Sequence, residues 1–276
     1  MTRQRLTVLT MAGLLLTSPV LAQFNFSDFR GAGGSLYING NAAIVGSALR
    51  LVPATGDQRG SAYHISRQHL SLPGGWTTTF QFRITNPGPG GGTDPNGDSG
   101  ADGFAFIIQD SSPSALGAAG GGIGYAGISR SLAVEFDTWY NTEFADDFNS
   151  NHVAVHTQWQ DPNSETEGAR LGFANVPFDL EDGQVHTATI AYNGSGQLSI
   201  SLDGVPTLTV NFDHNDYLQI LDASGFAWVG FTAATGGAWE DIDILSWSFT
   251  PVPEPASCVA LGAGLVALAL RRRKHA

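Results

Sequence analysis

Hydrophobic and polar residues alternate in short runs through residues 23–250, without a long repeat of helical period. Because successive side chains of a strand point to opposite faces, this alternation indicates strands with one buried face. Gly, Asn, Asp and Pro, which favour turns, separate the runs. The pattern therefore predicts an all-β fold, an antiparallel β-sandwich or barrel. The eleven predicted strands span residues 35–38, 49–52, 77–84, 103–108, 132–137, 153–157, 186–192, 197–202, 207–212, 227–232 and 242–249.

One predicted hairpin, residues 133–155, contains most of the candidate chemistry. Glu135 and Asp137 are two positions apart, so both side chains leave the same face of its first strand. His152 opens the returning strand. Further oxygen donors in the connecting loop are Asn141, Asp146 and Asp147. Neighbouring carboxylates repel each other unless cations neutralise them, so the hairpin predicts a cation site.

The two ends of the chain have the composition of processing signals. Residues 1–22 place Arg3 and Arg5 before an apolar run and end in Val-Leu-Ala, which predicts a secretory signal peptide. A first core helix is the alternative interpretation. Residues 251–276 join Pro253-Glu254-Pro255 to an uncharged run and a basic tail. That run is shorter than the roughly twenty residues that span a bilayer stably, although a plain membrane anchor stays an alternative.

Residues 23–250 are interpreted as one domain, in which the glycine- and proline-rich run 86–100 is a loop rather than a linker. This domain has seven arginines, no lysine and 24 acidic residues, a net charge of −17. Nucleic acid and anionic membrane surfaces are therefore poor partners, whereas divalent cations suit the acidity. The one cysteine, Cys258, lies outside the domain, so the domain has no disulfide.

Four sequence blocks carry a family resemblance. They are FNFSDF with LYINGNA near the start, ADGFAFII at 101–108, GGGIG at 120–124 with the hairpin after it, and VGFTAATGGAWEDIDILSWSF at 229–249. Together and in this order they resemble the legume-type (L-type) lectin domain over about residues 24–250. The resemblance implies a concanavalin-like jelly-roll sandwich. The C-terminal segment resembles the PEP-CTERM sorting signal of Gram-negative bacteria, which implies transient membrane association and removal by an exosortase-type enzyme.

The resemblance implies two bound cations in the hairpin. A transition metal, usually Mn²⁺ in this family, would be held by Glu135, Asp137, Asp147 and His152. Ca²⁺ would be held by Asp137, the Trp139 carbonyl, Asn141 and Asp147. Imidazole with carboxylates suits a first-row ion, and an all-oxygen set suits calcium. The loop has one more residue before Asp147 than the family pattern, so Asp146 is the alternative ligand, and Phe148 replaces a common proline.

The resemblance also implies a sugar site beside these cations. Its residues would be Asp102, the N–H of Gly121, the Trp139 ring, Asn141, and Gly237 and Ala238 in the loop that selects among monosaccharides. A carboxylate and a carboxamide together accept from and donate to sugar hydroxyls, and glycine lets a ligand approach the backbone. In the family the aspartate follows a cis peptide, here Ala101–Asp102. Trp239 is either a second stacking surface or a packed aromatic. Histidines without ligand spacing, interpreted as structural, are His64, His69, His156, His186 and His214.

These features predict metal-dependent, non-catalytic carbohydrate binding by an exported protein at the surface or in the exopolysaccharide matrix of a Gram-negative bacterium. Its partners would be glycans, and a homo-oligomer is compatible with the resemblance because family members pair in several ways. One alternative is a concanavalin-like glycoside hydrolase, whose E-x-D-x-x-E signature needs a second glutamate where this chain has Tyr140. Another is a matrix protein that kept the fold and lost sugar binding. The retained residues that argue against such loss are Asp102, Gly121, Trp139 and Asn141.

Overall fold

The computed structural model describes residues 23–88, 92–142 and 149–252. The predicted signal peptide, the C-terminal sorting segment and the loop aspartates Asp146 and Asp147 lie outside the described residues. Within these ranges the chain is almost entirely strands and loops, and its helices are short. None of these helices is long and apolar enough to cross a bilayer.

The described residues form sixteen strands. In chain order they are β1 (Phe24–Phe26), β2 (Leu36–Gly40), β3 (Ala43–Val45), β4 (Ala48–Val52), β5 (Arg59–His64), β6 (Gln68–His69), β7 (Trp76–Gly88), β8 (Gly103–Gln109), β9 (Ser131–Asp137), β10 (His152–Thr157), β11 (Arg170–Asn175), β12 (His186–Tyr192), β13 (Gln197–Leu202), β14 (Val205–Asn211), β15 (Phe226–Ala234) and β16 (Trp239–Pro251). The helices are α1 (His214–Leu218) and the 3-10 turns Ala32–Ser35, Gly120–Gly122 and Glu167–Ala169.

The strands form two antiparallel sheets of eight strands each. The first sheet has the order β14-β13-β12-β7-β16-β4-β3, and β1 pairs with β16. The second has the order β11-β10-β9-β8-β15-β5-β2, and β6 pairs with β15. Every one of the eleven predicted strands is present within a few residues. The predicted all-β antiparallel sandwich is therefore confirmed.

Five of the sixteen strands were not predicted from the alternation. They are β1, β3, β5, β6 and β11. The strand β5 is buried at four consecutive positions, so its sequence does not alternate, and β6 has two residues. The strand β7 continues to Gly88, so the predicted loop over 86–100 begins later than expected.

The main core lies between the two sheets and follows the predicted alternation. On β7, Trp76, Phe80 and Phe82 are fully buried, while Gln81 between them is exposed. Phe231 of β15 meets Phe80 from the opposite sheet edge to face, with 5.0 Å between ring centroids. Such aromatic pairs add to the free energy of apolar burial, and they fix how the sheets face each other.

The outer face of the second sheet is covered instead of open to water. Along β8, β9 and β10 every residue is buried, on both faces. A glycine loop (residues 120–124) and the following Tyr125 lie over this face, where Tyr125 packs with Ala105 and Ala133 in a second cluster. The small alanines leave room for the covering segment. Polar side chains that point outward from β9 and β10 are therefore enclosed.

Candidate functional site

The hairpin of β9 and β10 has the predicted register. His152 lies opposite Asp137, and Ala154 lies opposite Glu135. Val134 and Phe136, on the other face of β9, point into the main core. This packing sets the face from which the carboxylates project, because a slip of one residue would turn them into the core.

Three of the predicted metal ligands come together on this face. Glu135, Asp137 and His152 each offer a ligand atom, and these atoms lie within 4.8 Å of one another. All three side chains are at most 5% exposed. One imidazole and two carboxylates at this spacing fit a first-row divalent ion. The fourth predicted ligand, Asp147, lies outside the described residues.

Glu135 is enclosed by three further polar groups. The Tyr125 hydroxyl donates a hydrogen bond to Glu135 Oε2. His152 Nε2 and His156 Nε2 each lie 3.7 Å from Glu135 Oε1. Burial raises the pKa of Glu135, but the His156 and His152 imidazoles and the Tyr125 hydroxyl lower it more, so the pKa falls below its ordinary value. The site therefore favours an ionised carboxylate, the form that binds a cation.

Backbone carbonyls orient both histidines. His152 Nδ1 lies 2.9 Å from the Asn149 carbonyl oxygen, and His156 Nδ1 lies 3.1 Å from that of Ser164. A carbonyl oxygen only accepts, so each Nδ1 carries the donated proton and each Nε2 faces Glu135. Histidines that ligate metals commonly have this Nδ1 bond to a backbone carbonyl.

The start of the hairpin loop is held by a second loop. Asp137 Oδ1 accepts the Trp139 N–H at 2.8 Å. Asp94 Oδ2 accepts the Tyr140 N–H at 3.1 Å, between the two predicted ligand residues Trp139 and Asn141. Asn141 is only 8% exposed. The backbone that precedes Asn141 is thus fixed from both sides.

The predicted sugar-binding aspartate is fixed by backbone hydrogen bonds. Asp102 follows a cis peptide, as the resemblance implies. Its N–H donates to the Ala234 carbonyl at 3.1 Å, and its own carbonyl accepts the Thr138 N–H at 3.3 Å. A Cβ added at Gly236 would lie 3.1 Å from Asp102 Oδ2 and 3.5 Å from Gly120 Cα. Four segments therefore meet at Asp102.

Most of the backbone donors of the glycine loop are used within the fold. Gly120 N–H donates to the Thr235 carbonyl at 3.2 Å, and Gly124 N–H donates to that of Ala118 at 2.8 Å. The role of the Gly121 N–H as a donor to sugar stays a prediction.

The remaining predicted sugar-site residues lie at the same end of the sandwich. Gly237 is exposed, and Ala238 is buried with its carbonyl accepting the Gly236 N–H at 3.2 Å. Trp139 is half-buried. The Trp239 ring packs on Gly88, where a Cβ would overlap the indole. This packing favours Trp239 as a rim aromatic over a second stacking surface.

A pair of acids lies buried beneath these segments. Glu240 is fully buried, and its Oε1 accepts the Thr138 hydroxyl at 2.8 Å. Glu240 Oε2 and Glu181 Oε1 have no hydrogen-bond donor among the described residues, and both face Gly100. Burial raises the pKa of Glu181 to about 7, with Asp179 adding to the rise, and burial with Glu181 raises the pKa of Glu240 well above its ordinary value. Two such close carboxyls retain a proton into the neutral range.

Several of these contacts were not predicted from the sequence. His156 was interpreted as structural, yet it lies four residues after His152, and even spacing on a strand places both on one face. That signal was present. Tyr125, Asp94 and the acid pair come from distant segments, and no local pattern pointed to them.

Fold and site together define an all-β sandwich protein of the concanavalin-like class, with a buried group of candidate cation ligands on the outer face of one sheet. The chain belongs to the legume lectin family. Residues 30–244 match the family described as legume lectin beta-barrel domain, and residues 251–274 match the PEP-CTERM protein-sorting motif.

Relatives and solved structures agree with this assignment. Lectin DB58 of Vigna unguiculata subsp. cylindrica is 28% identical over 266 residues, 88% of each chain. The L-type lectin-domain containing receptor kinase VIII.2 of Arabidopsis thaliana is 32% identical over 189 residues, and the match covers 64% of this chain. That match spans only 24% of the receptor kinase, about a quarter of its length.

Two solved structures share the fold. The lectin from Bauhinia forficata in complex with GalNAc has a TM-score of 0.64 at 24% identity, covering 85% of this chain and 100% of that one. The Ca²⁺/Man-bound exoplasmic/lumenal domain of VIP36 has a TM-score of 0.59 at 17% identity, covering 79% and 83%. At these identities the likeness concerns the fold.

Proposed function

We propose that this chain is an exported, non-catalytic lectin that binds a glycan with the help of bound cations. The observation that carries the proposal is the meeting of four distant segments at Asp102. The backbone of Asp102 bonds to β15 and to the start of the hairpin loop. Gly236 packs against both Asp102 and the glycine loop.

Each segment would contribute one kind of contact to the sugar. Asp102 would accept hydrogen bonds from hydroxyls, and the Gly121 N–H would donate one. Asn141 can do both through its amide, and the Trp139 ring would pack on the C–H face of the sugar. Gly237 and Ala238 would border the ring and select among monosaccharides. No single segment provides this combination.

Two cations would complete the hairpin. Glu135, Asp137 and His152, with Asp147 or Asp146, would hold Mn²⁺ or another transition metal. Asp137, the Trp139 carbonyl and Asn141, with the same loop aspartate, would hold Ca²⁺. When bound, the ions supply positive charge that neutralises the buried carboxylates. The proposed role of the cations is thus to fix Asn141 and Trp139 for the sugar.

A binding role is favoured over hydrolysis by the surroundings of the hairpin acids. Glu135 is 2% exposed and already contacts Tyr125 and two histidines. A retaining hydrolase needs two carboxyls about 5–5.5 Å apart around the scissile bond, open to substrate. Release of reducing sugar from any glycan by the purified protein would favour the hydrolase instead.

We place the domain, residues 23–250, outside the cell that makes it. The predicted signal peptide and the match to the PEP-CTERM motif over 251–274 support export and exosortase-type processing. The acidity of the domain makes nucleic acid a poor partner. Exopolysaccharide at a Gram-negative surface is the glycan that fits this destination.

The test of sugar binding and metal dependence is a glycan array. Purified protein is applied after chelation, and again after addition of Ca²⁺, of Mn²⁺ and of both. We expect binding that is lost on chelation and restored by the two ions together. Binding that is indifferent to chelation contradicts the metal role, and an array without any signal contradicts the lectin proposal.

The site assignment is tested by two truncations. Asp102→Ala and Asn141→Ala each remove groups proposed to meet the sugar, and we expect affinity to fall at least a hundredfold, about 2.7 kcal/mol or more. Asp161→Ala and Asn211→Ala change exposed residues away from the site and serve as matched controls. Calorimetric titration with the best glycan measures all four, and wild-type affinity in the first two refutes the assignment.

A further inference from the structure

Tyr125 connects the glycine loop to the hairpin. Its side chain is fully buried, and its hydroxyl donates a hydrogen bond to Glu135 Oε2. It directly follows the glycine loop, four residues after Gly121. One side chain therefore spans from the backbone that would donate to sugar to a carboxylate that would bind metal.

The backbone of Tyr125 is hydrogen-bonded within the covering loop, and its ring packs against the sheet. Its N–H donates to the Gly122 carbonyl at 3.0 Å, and its own carbonyl accepts the Ile128 N–H at 3.0 Å. The ring packs with Ile107 in the second cluster. A residue held at both backbone groups and at the ring can transmit the position of its hydroxyl to the loop.

The two oxygens of Glu135 have different neighbours. Oε1 lies 3.7 Å from the Nε2 atoms of both His152 and His156, while Oε2 accepts from Tyr125. The phenol hydrogen bond thus holds Oε2 on the Tyr125 side, while Oε1 faces the two imidazoles.

We propose that Tyr125 is a positioning residue that couples the metal and sugar sites by tying the glycine loop to Glu135. The proposal rests on the proposed metal site and deepens it. Hydrogen bonds to a metal-binding carboxylate commonly change metal affinity by about 10- to 100-fold when removed. Coupling between two sites is reciprocal, so sugar must strengthen metal binding by the factor by which metal strengthens sugar binding.

The test is the conservative variant Tyr125→Phe, which removes one oxygen atom. We expect the dissociation constant of Mn²⁺ to rise about tenfold and the strengthening of Mn²⁺ binding by saturating sugar to shrink. Mn²⁺ alone is the first probe, measured by electron paramagnetic resonance on chelator-stripped protein. Sugar from the glycan array is added in a second titration.

Tyr63→Phe is the matched control. Tyr63 is also fully buried in the second cluster, and its hydroxyl donates to the Ala115 carbonyl at 3.0 Å. The substitution removes a buried phenol hydroxyl and its hydrogen bond without changing any contact of Glu135. We expect Tyr63→Phe to lower thermal stability and to leave Mn²⁺ affinity and its coupling to sugar unchanged.

The outcomes separate this proposal from the lectin proposal. Wild-type Mn²⁺ affinity in Tyr125→Phe, or equal losses in both variants, overturns the role of Tyr125 even when the protein binds glycan. A selective loss of Mn²⁺ affinity in Tyr125→Phe, without glycan binding by wild type, refutes the lectin and the coupling, and limits Tyr125 to positioning Glu135 in the metal site. If Tyr125→Phe does not fold while Tyr63→Phe does, Tyr125 is a structural residue and the proposal is overturned. Wild-type protein that does not bind Mn²⁺ also overturns it.

Discussion

Asp94 fixes the backbone just before Asn141, although Asp94 itself is not proposed to contact a cation or a sugar. Its Oδ1 accepts the N–H groups of Asn96 and Asp98, at 2.8 and 2.9 Å, and so closes its own loop. Its Oδ2 accepts the Tyr140 N–H at 3.1 Å. Since Tyr140 lies directly before Asn141, this one carboxylate sets the path of the backbone through the proposed calcium and sugar site.

Asp94→Asn separates these two tasks. The amide keeps an oxygen for the loop but turns an N–H₂ group toward the Tyr140 N–H, so the bond to the hairpin is lost. Hydrogen bonds to charged groups contribute about 1.5–3 kcal/mol, and we expect glycan affinity to fall about tenfold or more. Asp213→Asn, in the residue that caps α1 through the Asn215 N–H, is the control. Calorimetric titration compares the two, and equal affinities would show that Tyr140 needs no such support.

Among the elements, alternation predicted those strands that have one face in the main core, such as β7 and β12. It also predicted β8, β9 and β10, which are buried on both faces, but it did not predict β5, whose residues Gly60–Tyr63 are all buried. Within the site, Glu135, Asp137 and His152 were grouped correctly because they share one hairpin. Tyr125 and Asp94 reach that hairpin across 10 and 46 residues of sequence. Those contacts depend on which loops cover the sheet, and local patterns do not encode that.

The buried acid pair Glu181 and Glu240, which lies against Gly100 in the loop before β8, predicts how the stability of the folded protein depends on pH. Glu181 and Glu240 have folded pKa values raised by burial, Glu181 to about 7 from an ordinary 4.5. Between about pH 4.5 and 7 the folded protein therefore holds protons that the unfolded chain has lost. By linkage, stability falls as pH rises through this window.

Glu240→Gln removes one of these ionisations and gives Glu181 an amide donor. We expect the variant to be more stable than wild type at pH 8, by roughly 1–3 kcal/mol, and to lose much of the decline above pH 5. Each kcal/mol raises Tm by about 2–4 °C for a domain of this size. Thermal unfolding from pH 5 to 8 in chelator measures this, with the exposed Glu167→Gln as control. Parallel curves for all three proteins would show that the pair carries no excess proton.

At the scale of the whole molecule, the few arginines of the domain pair with acids outside the hairpin of β9 and β10. The domain has a net charge of −17. Arg50 pairs with Asp241 and Asp243, and Arg67 and Arg130 both pair with Asp110. These ion pairs neutralise acids away from the hairpin of β9 and β10. We therefore expect the buried acids of the hairpin to depend most on added cations.

Chelation should therefore lower the free energy of unfolding of the protein, in addition to weakening sugar binding. Ions that bind only the folded state at a hundred times their dissociation constant contribute about 2.7 kcal/mol, so we expect removal to lower Tm by roughly 5–10 °C. Scanning calorimetry at pH 7.5 in 0.15 M salt tests this, with Ca²⁺ or Mn²⁺ added back. Mg²⁺, of equal charge but demanding an octahedral site, is the matched control. If Mg²⁺ restores Tm as fully as Ca²⁺ and Mn²⁺, the ions act by screening the acidic domain, and the hairpin does not select them.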